Sequence, residues 1–263
     1  MTNELGDFLR ARRTNPALAS ADGADPRRRT SGLRREEVAA ASGISVDYYT
    51  RLEQGRVGHP SDAVLEALAR ALRLSRDARD HLFRLRPGVA SVRTGSEDPG
   101  VRAGSDDPGA RARLAALVEA VSPNPAYILD RLSTMVAANA EGLALYAGIG
   151  DLAPADRNTC RYLMTDPRAR DRFVEWEEIA RGAVAHLRSA NADDLSNPDL
   201  QSLTSELRSR SPLFDGWWNE HLVERRRGSL RHLRTDEGDV VARRYDVLYL
   251  PDDGLRMTLW YAG

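Results

Sequence analysis

Several common features are missing from this 263-residue sequence. It has a single cysteine, Cys160, which excludes an internal disulfide and a cysteine-rich zinc site. Lysine is absent, so all 38 basic residues are arginines. No run of about 18 apolar residues occurs, and the first residues carry no apolar signal segment. We therefore expect a cytoplasmic protein that does not interact with membranes.

The short motifs of common enzyme classes are missing as well. The sequence has no Gly-rich phosphate loop, no HExxH, no GxSxG and no paired cysteines. His221 and Glu224 stand three positions apart, but a metal site needs more ligands nearby. We predict no metal, no other cofactor and no enzymatic activity. An enzyme would require a cleft with convergent polar groups, and that alternative stays open here.

Charge is unevenly distributed along the chain, although the net charge is only −1. Residues 1–86 hold 16 arginines and 12 acidic residues, whereas the remainder holds 22 arginines and 27 acidic residues. A basic N-terminal part joined to an acidic body fits a nucleic-acid-binding module attached to a second domain.

Residues 33–55, LRREEVAAASGISVDYYTRLEQG, have the pattern of two short helices joined by a tight turn. Gly43 stands where the first helix must end, a position that favours positive φ. Ser45 can cap the second helix, in which Tyr49 and Leu52 should face inward. The pattern predicts a helix-turn-helix whose second helix enters the major groove of duplex DNA.

The outward side of that second helix and the arginines beside it are candidate contacts to double-stranded operator DNA. Arg51 can make a bidentate contact to guanine, and Arg35, at the start of the first helix, can contact a phosphate. A helical hairpin with no role in DNA binding could show similar spacings, but the surrounding arginines favour DNA. The candidate DNA-binding residues are Arg34, Arg35, Ser45, Val46, Asp47, Tyr48, Thr50, Arg51 and Arg56.

Helical patterns on both sides extend this unit to residues 1–86. Residues 3–13 carry an apolar stripe, and Ser61 and Ser75 can each cap a further helix. The result is a predicted five-helix bundle. Residues 87–113 follow as a predicted disordered linker, because a nine-residue tandem repeat there, RTGSEDPGV then RAGSDDPGA, has almost no apolar content.

The character of the sequence changes over residues 114–263. Two short strand patterns at 126–130 and 134–139 are followed by helical stretches, one of them expected over 167–189. Three further strand patterns, at about 229–234, 239–250 and 255–262, end the chain. Strands, then helices, then strands favour one antiparallel sheet with helices packed on it, which makes the whole chain α+β.

Two stretches in the N-terminal part and several short motifs in the C-terminal part resemble a known family. GLRREEVAAASGISVDYYTRLEQGR (32–56) and PSDAVLEALARAL (60–72) closely resemble Cro/C1-type (XRE family) helix-turn-helix regulators. PAYILDR (125–131), WEEIAR (176–181) and RSPLF (210–214) are similar to the actinobacterial branch with an MmyB-like ligand-binding domain. The resemblance implies a PAS-like C-terminal fold with a small-molecule pocket.

Three features depart from the family pattern. The repeat in residues 87–113 is additional. Leu222 stands where the family usually has an acidic residue after the histidine, and Leu233 stands where proline usually follows a histidine such as His232. Two of these departures therefore lie directly beside His221 and His232.

Taken together, these features predict a transcription regulator that binds DNA as a homodimer and senses a small apolar or amphipathic ligand. The polar end of that ligand would meet an arginine or histidine. The alternative is a C-terminal domain that binds a protein partner, which would present a flat apolar patch in place of an enclosed cavity. The candidate ligand-binding residues are Tyr127, Leu129, Met135, Trp176, Trp218, His221 and Met257.

Overall fold

The computed structural model describes residues 3–16, 32–57, 59–86, 107–250 and 254–262. The described residues before residue 87 form helices, as the sequence predicts. Its five principal helices are α1 (Glu4–Arg13), α2 (Arg35–Ser42), α3 (Val46–Glu53), α4 (Asp62–Ala71) and α5 (Arg76–Arg84).

Polar side chains set the start of these helices. The Ser45 hydroxyl accepts a hydrogen bond from the Tyr48 backbone N–H at 3.1 Å, and Ser61 and Ser75 cap α4 and α5 in the same way. At α2 the N-cap residue is Arg34, whose own side chain makes no capping hydrogen bond. Instead, the Glu37 carboxylate accepts a hydrogen bond from the Arg34 backbone N–H at 2.6 Å. The five helices enclose one apolar core, whose largest fully buried members are Phe8, Leu9, Tyr49, Leu52, Leu65, Leu68, Leu72 and Leu82.

The C-terminal part combines seven principal helices with five strands. The helices are α6 (Pro108–Glu119), α7 (Ala140–Ala144), α8 (Thr159–Thr165), α9 (Arg168–Arg172), α10 (Trp176–Ala190), α11 (Pro198–Arg210) and α12 (Pro212–Asn219). The strands are β1 (Ala126–Leu129), β2 (Met135–Ala138), β3 (Ser229–Arg234), β4 (Val240–Leu250) and β5 (Leu255–Ala262). They form one antiparallel sheet, as the sequence predicts, and its strand order is β2-β1-β5-β4-β3.

The two faces of the sheet pack against different partners. On the inner face, Tyr127 of β1 and Trp260 of β5 lie under the layer of helices. On the outer face, α6 covers Ile128 and Met257 with Leu114 and Val118. Because successive side chains of a strand point to opposite faces, each strand contributes to both layers.

Two element boundaries differ from the sequence predictions. Residues 107–113 were expected in the linker, but Asp107 caps α6 and the helix begins at Pro108. Most of the expected linker, residues 87–106, lies outside the described residues. The helix expected over 167–189 is two helices, α9 and α10. The chain leaves the helix between them because Phe173 forms a bridge with Leu233 and the Val174 backbone N–H donates to the His232 carbonyl.

Buried asparagines hold the start of the sheet in place. Asn139 is fully buried, and its side-chain oxygen accepts hydrogen bonds from the backbone N–H groups of Ala126 (2.9 Å) and Gly142 (2.8 Å). Its amide nitrogen donates to the carbonyl of Asn124 at 2.8 Å. One side chain thereby joins β1 to the start of α7. Among the helices of the described residues, none is long and apolar enough to cross a bilayer.

Candidate functional site

The turn between α2 and α3 presents α3 to solvent in the manner of a helix-turn-helix. Gly43 ends α2 with φ = 68°, the left-handed conformation that the sequence predicts. Tyr49 and Leu52 are buried, which confirms the predicted inner face of α3. One end and one side of this helix therefore remain free to enter a groove.

The predicted DNA-contacting residues share this exposed surface. Ser45, Val46, Asp47, Arg51 and Arg56 are exposed, as is Arg34 at the start of α2, while Tyr48 and Thr50 are half-buried. Arg51 and Asp47 lie one turn apart on α3, with 4.0 Å between the guanidinium and the carboxylate. An exposed pair of this kind is weak, so the guanidinium can exchange Asp47 for a base or a phosphate.

Arg35 has a structural partner that its sequence position does not reveal. Its Nε donates to Glu53 at 2.8 Å, and Arg13 of α1 donates to the same carboxylate at 2.6 Å. Glu53 is completely buried. Burial raises the pKa of its carboxyl, but the hydrogen bonds from Arg13 and Arg35 outweigh this effect, so the pKa lies below its usual value. The ion pairs fix the end of α3 against α1 and the start of α2.

A cavity lies between the inner face of the sheet and the helices above it. It measures about 530 Å³, counting its open mouth and the gaps between atoms. The enclosed part of this space is small, about 30 Å³, so a ligand of more than a few atoms must displace side chains. The lining is mainly aromatic and aliphatic: Tyr127, Leu129, Tyr146, Leu163, Phe173, Ile179, Ala183, Tyr245, Val247 and Trp260, with Ser133, Thr159 and Thr258.

Two arginines, Arg226 and Arg256, complete the lining. Arg256 is only 6 % exposed and donates to the Asp130 carbonyl at 3.0 Å and to the Ser133 hydroxyl at 2.8 Å. Burial, and then the nearby positive charge of Arg226, lowers the pKa of Arg256 to about 10, so it stays protonated at neutral pH. Within the described residues, none of the hydrogen bonds of these two side chains goes to a carboxylate. The cavity therefore combines apolar walls with positive charge.

Aromatic hydroxyls supply the other polar groups of the cavity. The Tyr127 and Tyr146 hydroxyls lie 2.8 Å apart, and the Trp260 indole N–H donates to the Tyr127 hydroxyl at 3.3 Å. Burial raises the pKa of Tyr146 well above its ordinary value, so this phenol is neutral. These groups can exchange hydrogen bonds with a polar ligand atom.

The seven predicted ligand-binding residues do not all lie together. Tyr127 and Leu129 line the cavity, whereas the buried Met135 is not part of the lining. Met257 packs on the outer face of the sheet.

Three more of the predicted residues lie on the helix layer. The indole N–H of Trp176 donates to the Leu163 carbonyl at 2.8 Å. The ring of Trp218 lies under the Arg188 guanidinium, 4.0 Å from the ring centre. His221 contributes its carbonyl to a 2.8 Å hydrogen bond from Arg12 of the N-terminal domain.

The sequence reasoning missed Arg256 and Arg226. In LRMTLW (255–260), Leu255, Met257 and Leu259 form one alternating set, and Arg256, Thr258 and Trp260 form the other. The more apolar of two such sets normally faces the core. Here α6 covers the apolar set on the outer face, while the set with the arginine faces the cavity. A charged residue in a strand that is covered on both faces is the signal that could have identified the site.

The polar side chains that line this cavity are arginines, hydroxyls and the indole of Trp260. No cluster of three or more potential metal ligands occurs among the residues that the structure describes. Cys160 is buried, and burial raises the pKa of its thiol to about 12, so it is not a nucleophile at neutral pH.

The fold and these two sites define a class of protein, a helix-turn-helix transcription regulator with a ligand-binding domain. The family model of the MmyB-like transcription regulator ligand binding domain matches residues 110–262. A second family model, of a helix-turn-helix domain, matches residues 4–82. The chain belongs to the family of MmyB-like transcription regulators, as the sequence resemblance predicts. A comparison with curated proteins gave no match.

Proposed function

We propose that this regulator binds an amphipathic molecule with an apolar body and an acidic end. The observation that carries the proposal is the position of Arg256, a buried guanidinium that faces a mainly aromatic and aliphatic cavity. A buried cation whose hydrogen bonds go to neutral oxygens gains most from a carboxylate or similar anion, since charge-assisted hydrogen bonds are the stronger kind. The apolar walls would bury the remainder of the ligand.

Two matched probes test the ligand. Dodecanoic acid and dodecanol have the same apolar chain and differ in the charge of the end group. The acid should bind the purified protein more tightly, and Arg256→Met should weaken binding of the acid about tenfold while leaving the alcohol unchanged. Calorimetry and mass spectrometry of an organic-solvent extract would measure this. Absence of both a bound lipid and a thermal shift would favour a protein partner for this domain.

We propose that the exposed face of α3 reads operator DNA. In this proposal Arg51 contacts a base and Arg35 a phosphate, with Arg34, Ser45, Val46, Asp47, Tyr48, Thr50 and Arg56 around them. The exposure of Arg51 supports its role. Arg35 also forms an ion pair with Glu53 at the end of α3. In this proposal its side chain would both bind a phosphate and hold α3 in place.

The proposal includes a homodimer formed through the outer face of β3 and β4. Leu230, Val240 and Leu248 are exposed there, and Arg244 and Asp246 lie on the same face of β4. In a two-fold arrangement, Arg244 of one protomer can meet Asp246 of its partner. Leu248→Glu should yield a monomer in sedimentation equilibrium. Leu152→Glu, at another exposed apolar position, should leave the dimer intact.

A further inference from the structure

The buried apolar residues of the N-terminal and C-terminal domains form one cluster, and polar contacts join the domains around it. Arg12 of α1 donates to the His221 carbonyl at 2.8 Å, and Glu4 of α1 lies 3.6 Å from the Arg188 guanidinium of α10. The exposed surface that carries Arg51 takes no part in these contacts, so docking orients the DNA-reading helix and does not cover it.

The stretch between α12 and β3 carries the strongest of the contacts between the domains. We call residues 222–228 the connecting segment. Asp77 of α5 accepts a 3.1 Å hydrogen bond from the Arg225 backbone N–H. The Arg227 guanidinium binds the same carboxylate through both terminal nitrogens, at 2.8 and 2.6 Å. Burial raises the pKa of Asp77, but the bonds to Arg227 and Arg225 outweigh it, so this pKa lies below its usual value and the carboxylate is charged.

Between these two arginines, Arg226 points the other way. Successive side chains of an extended chain point to opposite sides. While the Arg225 backbone N–H and the Arg227 side chain bind Asp77, Arg226 lines the cavity, and its guanidinium donates to the Ile179 carbonyl at 3.2 Å. Three consecutive residues therefore contact both the cavity and the DNA-binding domain.

The connecting segment is also held along α10. The Arg226 backbone N–H donates to His186 Nδ1 at 3.2 Å, and the Glu224 backbone N–H donates to the Ala185 carbonyl at 3.4 Å. Ile179 and Ala183 of the same helix line the cavity. A displacement of α10 or of Arg226 by an occupant of the cavity must therefore move the backbone that holds Asp77.

The contact between the domains also buries polar atoms that oppose docking. Both ring nitrogens of His81, Arg12 Nε and His221 Nδ1 are buried there without a hydrogen-bond partner among the described residues. Each buried polar atom that lacks a partner opposes docking. A small change in the connecting segment can therefore alter the balance between docked and undocked states.

We propose that the connecting segment couples the cavity to the DNA-binding domain, with Arg226 responding to the occupant of the cavity and Asp77 receiving the change through Arg225 and Arg227. This rests on the proposed ligand-binding function and adds its route of regulation. The occupant controls DNA binding to the extent that it favours one arrangement of the two domains over another.

Distances between the domains test the docking step in the full-length protein without DNA or added ligand. Spin labels can be attached at Arg70→Cys and Ser205→Cys, two exposed positions, because the native Cys160 is buried. The parent protein should give one narrow distance distribution. Arg227→Gln, a change of a largely exposed side chain, and Asp77→Asn should each add a population at longer distance. Glu66→Gln is the matched control, because it removes an ion pair with Arg79 inside the N-terminal domain. It should add no population at longer distance.

A second comparison tests the coupling. Arg226→Met changes only the side chain in the cavity, and it should broaden the distance distribution and change the affinity for DNA at least threefold. Unchanged distances in Asp77→Asn and Arg227→Gln would overturn the docking role of the connecting segment. Altered distances in those variants, with no effect of Arg226→Met on either readout, would overturn the coupling. Neither readout depends on identifying the ligand, so a failure of the ligand proposal would be recognised separately.

Discussion

Glu53 shows how one residue can determine the position of the DNA-reading helix. It lies at the last position of α3 with no exposed surface, and its carboxylate joins Arg13 of α1 to Arg35 of α2. A buried carboxylate is tolerated only when it is paired, so these three residues act as a unit. Local sequence could not reveal this, because Arg13 and Glu53 are distant in the chain and both look like surface residues.

Substitution of Glu53 should therefore destabilise the N-terminal domain. Glu53→Gln keeps the shape but removes the charge opposite Arg13, and we expect a loss of about 3 kcal/mol in the free energy of unfolding. Chemical denaturation monitored by circular dichroism would measure it. Glu66→Gln, which removes an ion pair at the surface, should unfold like the parent, and equal stability of the two variants would contradict the structural role of Glu53.

At the scale of elements, the turn between α2 and α3 depends on backbone conformation. Gly43 has φ = 68°, and a side chain added there would meet no atom within 4 Å. The cost of a substitution is therefore conformational strain rather than a steric clash.

Gly43→Ala should accordingly lower the free energy of unfolding by about 1 kcal/mol. Gly43→Asn should cost less, because asparagine tolerates the left-handed region better than alanine does. Thermal melting of the three proteins would rank them. The reverse order for alanine and asparagine would show that strain is not the cause.

The sequence predicted the helices and strands well where a periodic pattern and a cap occur together, as in α3 with Ser45. It also predicted the antiparallel sheet. It did not predict which face of β5 points to the cavity, because Met257 and Leu259 form the more apolar set and Arg256 stands in the other. Which set faces the cavity depends on α6, whose packing over the outer face is a tertiary effect that strand periodicity does not contain.

At the scale of the whole molecule, neutral buried histidines make stability depend on pH. His81 is completely buried in the N-terminal domain and His186 is buried in the C-terminal domain. Burial, followed by nearby arginines, lowers the pKa of both well below the ordinary value of 6.5. Below that value the unfolded chain binds protons that the folded protein does not, so stability present above pH 6.5 is lost as the pH falls.

Acidification from pH 7.5 to 5.5 should thus destabilise the protein, with each of the two histidines contributing up to about 1.4 kcal/mol at pH 5.5. Denaturant titrations at several pH values would measure the dependence. His81→Leu should make stability depend less on pH, because it removes one of the two histidines. The substitution breaks no hydrogen bond of the His81 ring, since neither ring nitrogen has a partner among the described residues. A variant with the full pH dependence of the parent would contradict the assignment to His81.

The division of the chain into a DNA-binding domain and a ligand-binding domain could be predicted from charge, motifs and the family resemblance. The contact between the domains could not be predicted in this way. In the sequence alone, Asp77, Arg225 and Arg227 look like ordinary surface charges. Their pairing depends on the path of the connecting segment, which has no periodic pattern.

Selection of bound duplexes from a random DNA pool tests the central claim, that the exposed face of α3 reads sequence. The full-length parent and Arg51→Ala would be compared at the same salt concentration, because affinity for DNA falls as salt increases. We expect the parent to enrich a defined motif, and Arg51→Ala to lose the preference at one base position with a cost of about 1–3 kcal/mol. An identical motif in both proteins, or no enrichment by the parent, would contradict the assignment.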